Sequence, residues 1–143
     1  MKRGRTTLAE LRLPARPEFV LVAKRTASAL GSIMGFDLEG LDELNIAVAQ
    51  TCESAIVAAA RWLGDEATLR LTFRSTGSGI EVEVQALSGR PYSPEAQVEA
   101  DWLPESHQLS MDMVRCFVDE VRYQMNSLTG STRVRLVKYL IQR

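Results

Sequence analysis

An alanine-rich stretch that runs from Leu44 to Trp62 contains a few polar side chains, among them Gln50, Glu53 and Ser54, and Gln50 and Ser54 are four residues apart. Residues four apart on a helix project from the same face, so this amide and this hydroxyl can reach one ligand together. Neither group takes up a proton at neutral pH. The pair therefore indicates hydrogen bonding or ligand contact rather than acid–base catalysis. A solvated helix face explains the two residues equally well.

Candidate metal ligands are scarce, because the chain has one histidine, His107, and two cysteines, Cys52 and Cys116. A zinc site draws three or four ligands from such residues, so we expect none. Both cysteines lie in apolar helical patterns, which predicts two buried thiols and no disulfide. His107 follows Ser106, a candidate helix N-cap, and is interpreted as a capping or surface residue.

Hydrophobic periodicity predicts the element order β-α-α-β-β-loop-α-β-β. Alternating patterns place a short strand at 8–14 and a hairpin between Leu69 and Leu87, and a second hairpin ends the chain. Helical patterns run from Pro17 to a stop at Gly35, then from about Leu41 to Leu63. A third helix follows His107.

The fold class follows from this order. Strands outnumber helices, hairpins join neighbouring strands, and each helix has one apolar face. We expect an α+β fold, a two-layer sandwich in which three helices cover a mostly antiparallel sheet, within one domain over residues 1–143. Residues 1–7 are expected to form a flexible tail, and residues 88–106 a long irregular loop.

Composition and charge argue against two classes of partner. The net charge is -1, and the start "MKRGR" is the only cationic cluster along the sequence, so a nucleic-acid partner is not expected. No apolar run approaches the roughly 20 residues that cross a bilayer, and no signal peptide is present. We therefore expect a cytoplasmic protein with no membrane association.

Several strings in this order resemble the anti-sigma factor serine kinases of bacteria, which belong to the histidine kinase-like ATPase (GHKL) superfamily with its Bergerat-type fold. The first helix region reads "LPARPEFVLVAKRTASAL", the second "DELNIAVAQTCESAI", and the closing strands "FVDEVRYQMNSLTGSTRVRLVKYL". The resemblance covers about residues 11–140. It implies the same fold, ATP and Mg²⁺ as the family's ligands, and an ATP-lid position for residues 88–106.

The sequence departs from this family at the residues that carry its chemistry. Gln50 stands where the family has a glutamate as general base, and Ser54 where an asparagine coordinates Mg²⁺. Ala86 replaces the aspartate that accepts the adenine amino group, and Ser88 lies near the first glycine of that box. A methyl group offers adenine no hydrogen bond, and serine is shorter than asparagine.

The third departure lies at the start of the last helix, where the family has a glycine-rich phosphate cradle. Here the segment reads "SHQLSM", and the side chains of Gln108 and Leu109 would occupy the space of the phosphates. Met111 and Met113 are interpreted as filling core space vacated by nucleotide.

The resemblance therefore implies a regulatory protein, a homodimer, that binds a sigma factor or an anti-anti-sigma-type protein. The departures predict a pseudo-kinase without bound ATP, other cofactor or metal. Arg16, Lys24 and Arg25 on the first helix are the predicted partner-binding residues. Two alternatives remain, an active serine kinase with a displaced base such as Glu53 and a sensor that binds another small molecule in the vacated pocket.

Overall fold

The computed structural model describes residues 5–64, 66–88, 111–125 and 131–140. The predicted α+β sandwich with an antiparallel sheet is confirmed. In chain order the elements are β1 (Thr6–Pro14), α1 (Val20–Met34), α2 (Leu38–Trp62), β2 (Thr68–Ser75), β3 (Gly79–Leu87), a helical segment over 111–115, β4 (Glu120–Met125) and β5 (Thr132–Tyr139).

The two long helices meet at a tight turn. Pro17 begins a short 3-10 turn that leads into α1, and α1 ends at Gly35, as the sequence predicts. Gly35 has a φ of 100°, a left-handed conformation that favours glycine, and its N–H bonds the carbonyl of Gly31 at 3.1 Å. α2 begins three residues before the predicted Leu41, because the Asp37 carboxylate accepts the N–H of Gly40 at 2.8 Å and caps the helix.

The sheet has the strand order β1-β2-β3-β5-β4, and every neighbouring pair is antiparallel. β1 begins at Thr6, inside the segment expected to be a tail, because Thr6 pairs with Ser75 of β2. A register shift between Thr7 and Ala9 places a bulge at Leu8. The central strand β3 therefore has β2 on one side and β5 on the other.

Alternation along the strands divides the sheet into two faces. The core face carries the side chains that the helices cover, and these are all buried: Leu69, Leu71, Phe73, Ile80, Val82, Val84, Val134 and Leu136. Ala23 and Ala27 of α1 and Leu44, Ala47 and Val48 of α2 belong to the same core. This arrangement is the half-buried sheet that the period of two predicts.

The opposite face, here called the open face, carries charged residues that pair with one another. Glu81 accepts hydrogen bonds from Arg5 and from Arg74, the latter at 2.9 Å, and lies 3.5 Å from Arg135. Glu83 lies 2.9 Å from both Arg74 and Arg133. Although Glu81 is on the solvent side of the sheet, its side chain is only 3% exposed, because the arginine side chains cover it.

Lys138 connects three parts of the chain on the core side. Its Nζ lies 3.0 Å from the carboxylate of Glu43 on α2 and donates to the carbonyl of Phe117 at 2.9 Å. The Lys138 side chain is 11% exposed, so this ion pair is largely shielded from water. It fixes the first half of α2 against β5 and against the segment that leads into β4.

Replacing Gly79 should destabilise the fold. A Cβ at Gly79 would lie 2.0 Å from the carbonyl oxygen of Lys138, so Gly79→Ala forces β3 and β5 apart. We expect the free energy of unfolding to fall by about 3 kcal/mol, the upper end for overpacking, as measured by urea denaturation. Gly77→Ala in the same hairpin is the control, because nothing lies within 4 Å of its added Cβ. Equal stability of the two variants would contradict the close approach.

Loss of the Glu81 carboxylate should alter the response to acid. Burial alone would raise the pKa of Glu81, but the hydrogen bonds from Arg5 and Arg74 and the charge of Arg135 lower it overall. The stability from these ion pairs is therefore present above the ordinary carboxyl pKa and is lost as the pH falls through the lowered one. Because the arginines are partly exposed, Glu81→Gln should cost about 1–2 kcal/mol at pH 7 and flatten the acid limb of the stability curve.

The matched control is Glu10→Gln. Glu10 is exposed on the same face, opposite Thr72, and has no ion-pair partner among the described residues. Its replacement should change the free energy of unfolding by less than about 0.5 kcal/mol. Indistinguishable pH profiles for Glu81→Gln and the wild type would show that the Glu81 network adds no stability.

Candidate functional site

The candidate site begins with Gln50 and Ser54, which lie one turn apart on α2. Ser54 is 6% exposed and Gln50 is half-buried. A solvated helix face is therefore the wrong interpretation for Ser54. The adjacent Thr51 is also buried, and its hydroxyl donates to the carbonyl of Ala47 at 2.8 Å.

Ala86 lies near the end of β3 on the core face. It is fully buried, and its backbone neighbours are Leu69 on β2 and Thr132 on β5. Its methyl group packs in the same core cluster as Val84 and the sheet-facing residues of α2. Ser88 follows the strand and is exposed. The residue that the sequence resemblance aligns with an adenine-binding carboxylate therefore carries a buried methyl group.

Two of the three predicted regions lie on elements that pack together. Gln50 is at the middle of α2 and Ser54 is one turn further on, α2 packs on β3, and Ala86 is the penultimate residue of β3. Gln108 and Leu109, together with Ser106 and His107, lie outside the described residues.

The methionines after this region have different environments. Met111 is 4% exposed and Val114 is 1% exposed, so the helical segment over 111–115 presents an apolar side to the core. Met113 is 51% exposed, which contradicts the prediction that both methionines fill core space. The two residues are two positions apart on a helix and therefore point in different directions.

The cysteines also differ from the sequence prediction. Cys52 is fully buried on α2, and burial, with a smaller contribution from Glu53, raises its pKa to about 12. Cys116 is exposed, because the helical segment ends at 115 and Cys116 begins the turn before β4. The prediction of a buried thiol is therefore confirmed for Cys52 and wrong for Cys116.

A phosphoryl-transfer site combines metal ligands with a general base. The described residues include no group of three or more histidine, cysteine, aspartate or glutamate side chains that could hold a metal ion. Glu53, the alternative general base, is exposed on α2, which is α-helical throughout. Reaching the Gln50–Ser54 face would require a change of helix register at Glu53, and the helix shows no such irregularity.

The predicted partner surface on α1 is exposed and partly apolar. Arg25 is exposed and Lys24 half-buried, while the exposed Arg16 has its guanidinium carbon 5.8 Å from the centre of the Phe19 ring. Leu21 and Val22 are 54% and 41% exposed on the same helix. Ala23 and Ala27 form the buried stripe of α1, so Val22 lies on its exposed side. Exposed apolar residues beside cations are typical of a protein-binding surface.

The open face carries a concentration of charge that the linear sequence conceals. Register places Arg70 and Arg74 of β2, Arg122 of β4, and Arg133 and Arg135 of β5 on this face. "MKRGR" is therefore not the only cationic cluster of the molecule. The arginines are scattered in sequence, so only strand pairing could have revealed this surface.

A solved structure of another protein shares this fold. A solved crystal structure of the RsbU and RsbW domains of Rv1364c from Mycobacterium tuberculosis superposes with a TM-score of 0.67 at 13% identity, over 95% of this chain and 34% of that chain. The described helices and strands therefore have the histidine kinase-like ATPase fold that the sequence predicts.

Relatives at higher identity define the family. The serine-protein kinase RsbW of Bacillus licheniformis is 30% identical over 141 residues, which span 92% of this chain and 84% of the relative. The same figures apply to serine-protein kinase RsbW of Bacillus subtilis strain 168. No general protein-family profile matches the chain. The chain belongs to the RsbW family of serine-protein kinases, the anti-sigma factor kinases that its sequence resembles.

Across the described ranges, no helix combines the length and the apolar character needed to cross a membrane.

Proposed function

We propose that this protein is a cytoplasmic regulator of the RsbW family that acts by binding a sigma factor or an anti-anti-sigma-type protein and has lost ATP-dependent phosphorylation. The observation that carries the proposal is the buried methyl group of Ala86 beside an α2 whose Gln50 and Ser54 cannot ionise. Family membership supports the kind of partner.

The chemistry of these positions supports the loss of nucleotide. Phosphoryl transfer to a serine is assisted by a base that accepts the hydroxyl proton, and the amide of Gln50 cannot do so. Mg²⁺ requires a nearly complete octahedron of oxygen ligands, and the buried Ser54 hydroxyl is a short ligand that replaces a longer amide. Adenine would meet the Ala86 methyl group, which neither donates nor accepts a hydrogen bond.

Titration calorimetry with Mg-ATP tests the loss of nucleotide binding. We expect no heat of binding up to about 1 mM ligand, which corresponds to a binding free energy weaker than about -4 kcal/mol. The double variant Gln50→Glu with Ser54→Asn should also fail to bind, because Ala86 is unchanged. Micromolar binding of Mg-ATP by the wild type would overturn the proposal. Binding by the double variant but not by the wild type would show that Gln50 and Ser54 on α2 alone account for the loss of nucleotide binding.

Partner binding is assigned to the exposed outer surface of α1. Leu21 and Val22 supply apolar area, and Arg25 lies one helical turn from Leu21 on the same side. Lys24 on α1, and Arg16 immediately before the 3-10 turn that leads into α1, add further positive charge. Such a surface suits an acidic protein partner with apolar side chains at the centre of the contact, because peripheral charges steer association.

A charge reversal on α1 tests this surface. Purified sigma factors and anti-anti-sigma-type proteins from the same genome would be immobilised and the dissociation constant measured by biolayer interferometry. Arg25→Glu should weaken binding by about tenfold, mainly through slower association. Arg12→Glu, the same charge change at an exposed site on the open face, should leave it unchanged. Equal changes in the dissociation constant for the two variants would show that α1 is not the binding surface.

We also propose that the protein is a homodimer, as the family resemblance implies. Sedimentation equilibrium across a tenfold range of concentration measures this directly, and a monomer throughout the range would reject it. The dimer is a separate proposal from the loss of ATP binding, so either can fail alone.

The active kinase is the second candidate, and the names of the relatives favour it, since each is a serine-protein kinase. It requires transfer of labelled phosphate from ATP to a serine of a bound partner. Glu53→Gln should abolish transfer if Glu53 is the base. The absence of labelled partner after incubation at saturating Mg-ATP would eliminate this candidate.

A further inference from the structure

An arginine cluster, defined as Arg122, Arg133 and Arg135, lies on the open face, away from the helices. Arg122 of β4 is directly opposite Arg135 of β5, and Arg133 is two residues along β5, opposite Gln124. These three side chains, with Arg5, Glu83 and Gln124, line an open depression of about 250 Å³. None of these residues lies on α1, and none belongs to the group of Gln50, Ser54 and Ala86.

The depression carries more positive charge than its own carboxylates neutralise. Four guanidinium groups and a single carboxylate, Glu83, line it. Glu83 lies 2.9 Å from Arg133 but also 2.9 Å from Arg74, so its charge is shared. Within the described ranges, Arg135 has one carboxylate partner, Glu81 at 3.5 Å, and Glu81 also bonds Arg5 and Arg74.

Arg122 differs from Arg133 and Arg135 in its surroundings. It is exposed, and among the described residues no carboxylate forms an ion pair with it. Like charges directly opposite each other in an antiparallel pair disfavour the pairing, and Arg122 and Arg135 form such a pair. An anion between the two guanidinium groups would convert this repulsion into attraction.

We propose that this depression binds a phosphate group, held by Arg122, Arg133 and Arg135, with the Gln124 amide as a further donor. Guanidinium groups form paired hydrogen bonds with the oxygens of phosphate, and three of them can contact one tetrahedral anion from different sides. A dianion matches the excess charge better than a single carboxylate does. The volume accommodates one such group with its hydration, which favours a phosphate monoester or a short polyphosphate over a polymer.

This site is independent of the proposed loss of ATP binding. Gln50 and Ser54 are on α2, and Ala86 faces the core, whereas the arginine cluster is on the other side of the sheet. A variant of Arg122 therefore leaves the nucleotide region unchanged. Pyrophosphate bound in the nucleotide region would not respond to a change at Arg122.

The experiment is a titration of the full chain with inorganic phosphate and with pyrophosphate, monitored by thermal unfolding and calorimetry at constant ionic strength set with chloride. Pyrophosphate at 10 mM should raise the midpoint of unfolding by about 2 °C, and phosphate by less, since a ligand that binds only the folded state stabilises it. Arg122→Gln should weaken the apparent affinity by at least about tenfold, the loss of one charge-assisted contact.

Arg115→Gln is the matched control. Arg115 is also exposed and lies outside the sheet, in an exposed pair with Asp112 at 3.0 Å, so its loss should leave pyrophosphate affinity unchanged. No stabilisation beyond that of chloride would overturn the proposal. Equal affinity of Arg122→Gln and the wild type would also overturn it, because binding would then lie elsewhere.

Two other occupants of the open face are separated by the same experiment. The first is a nucleic-acid surface. If a single-stranded oligonucleotide binds with a steep salt dependence and pyrophosphate does not bind, the open face recognises a polymer and the proposal is rejected. A dimer that weakens in Arg122→Gln without any pyrophosphate effect would show that a second copy covers this face, and would reject it as well.

Discussion

The packing of α2 on β3 is the contact on which the rest of this structure depends. β3 is the central strand, and alternation directs Val82, Val84 and Ala86 toward the helices and Glu81 and Glu83 toward the open face. The same contact that forms the core therefore also encloses Ala86, which the sequence resemblance aligns with an adenine-binding aspartate. A carboxylate at Ala86 would have to be buried among apolar side chains, at a cost that hydrogen bonds with a nucleotide would normally offset.

The parts of the fold that sequence could predict are those fixed by local patterns. The alternation from Leu69 to Leu87 identified the central hairpin, and Gly35 marked the end of α1 because its left-handed conformation favours glycine. The start of α2 was missed although its signal was available, since Asp37 is a strong N-cap residue. β1 begins before the predicted start at residue 8, because Thr6 pairs with Ser75 of β2.

What could not be predicted arises from contacts between distant segments. Periodicity does not tell which apolar residues of α1 are covered, because Val22 and Ile33 are exposed whereas Ala23 and Ala27 are buried. Burial of Glu81 depends on arginines from three separate parts of the chain. At the candidate site, residue identities at Gln50, Ser54 and Ala86 were readable from family spacing, but the burial of Ser54 required the packed helix.

The two edge strands, β1 and β4, determine how this molecule can meet others. An exposed sheet edge can recruit a further strand, which leads to aggregation or strand exchange. β1 is interrupted by the bulge at Leu8 and ends at Pro14, which lacks an N–H, while β4 has only 6 residues. In the described part of the chain neither edge offers a long regular ladder, so recognition is directed to side chains on the helices and on the open face rather than to backbone hydrogen bonds.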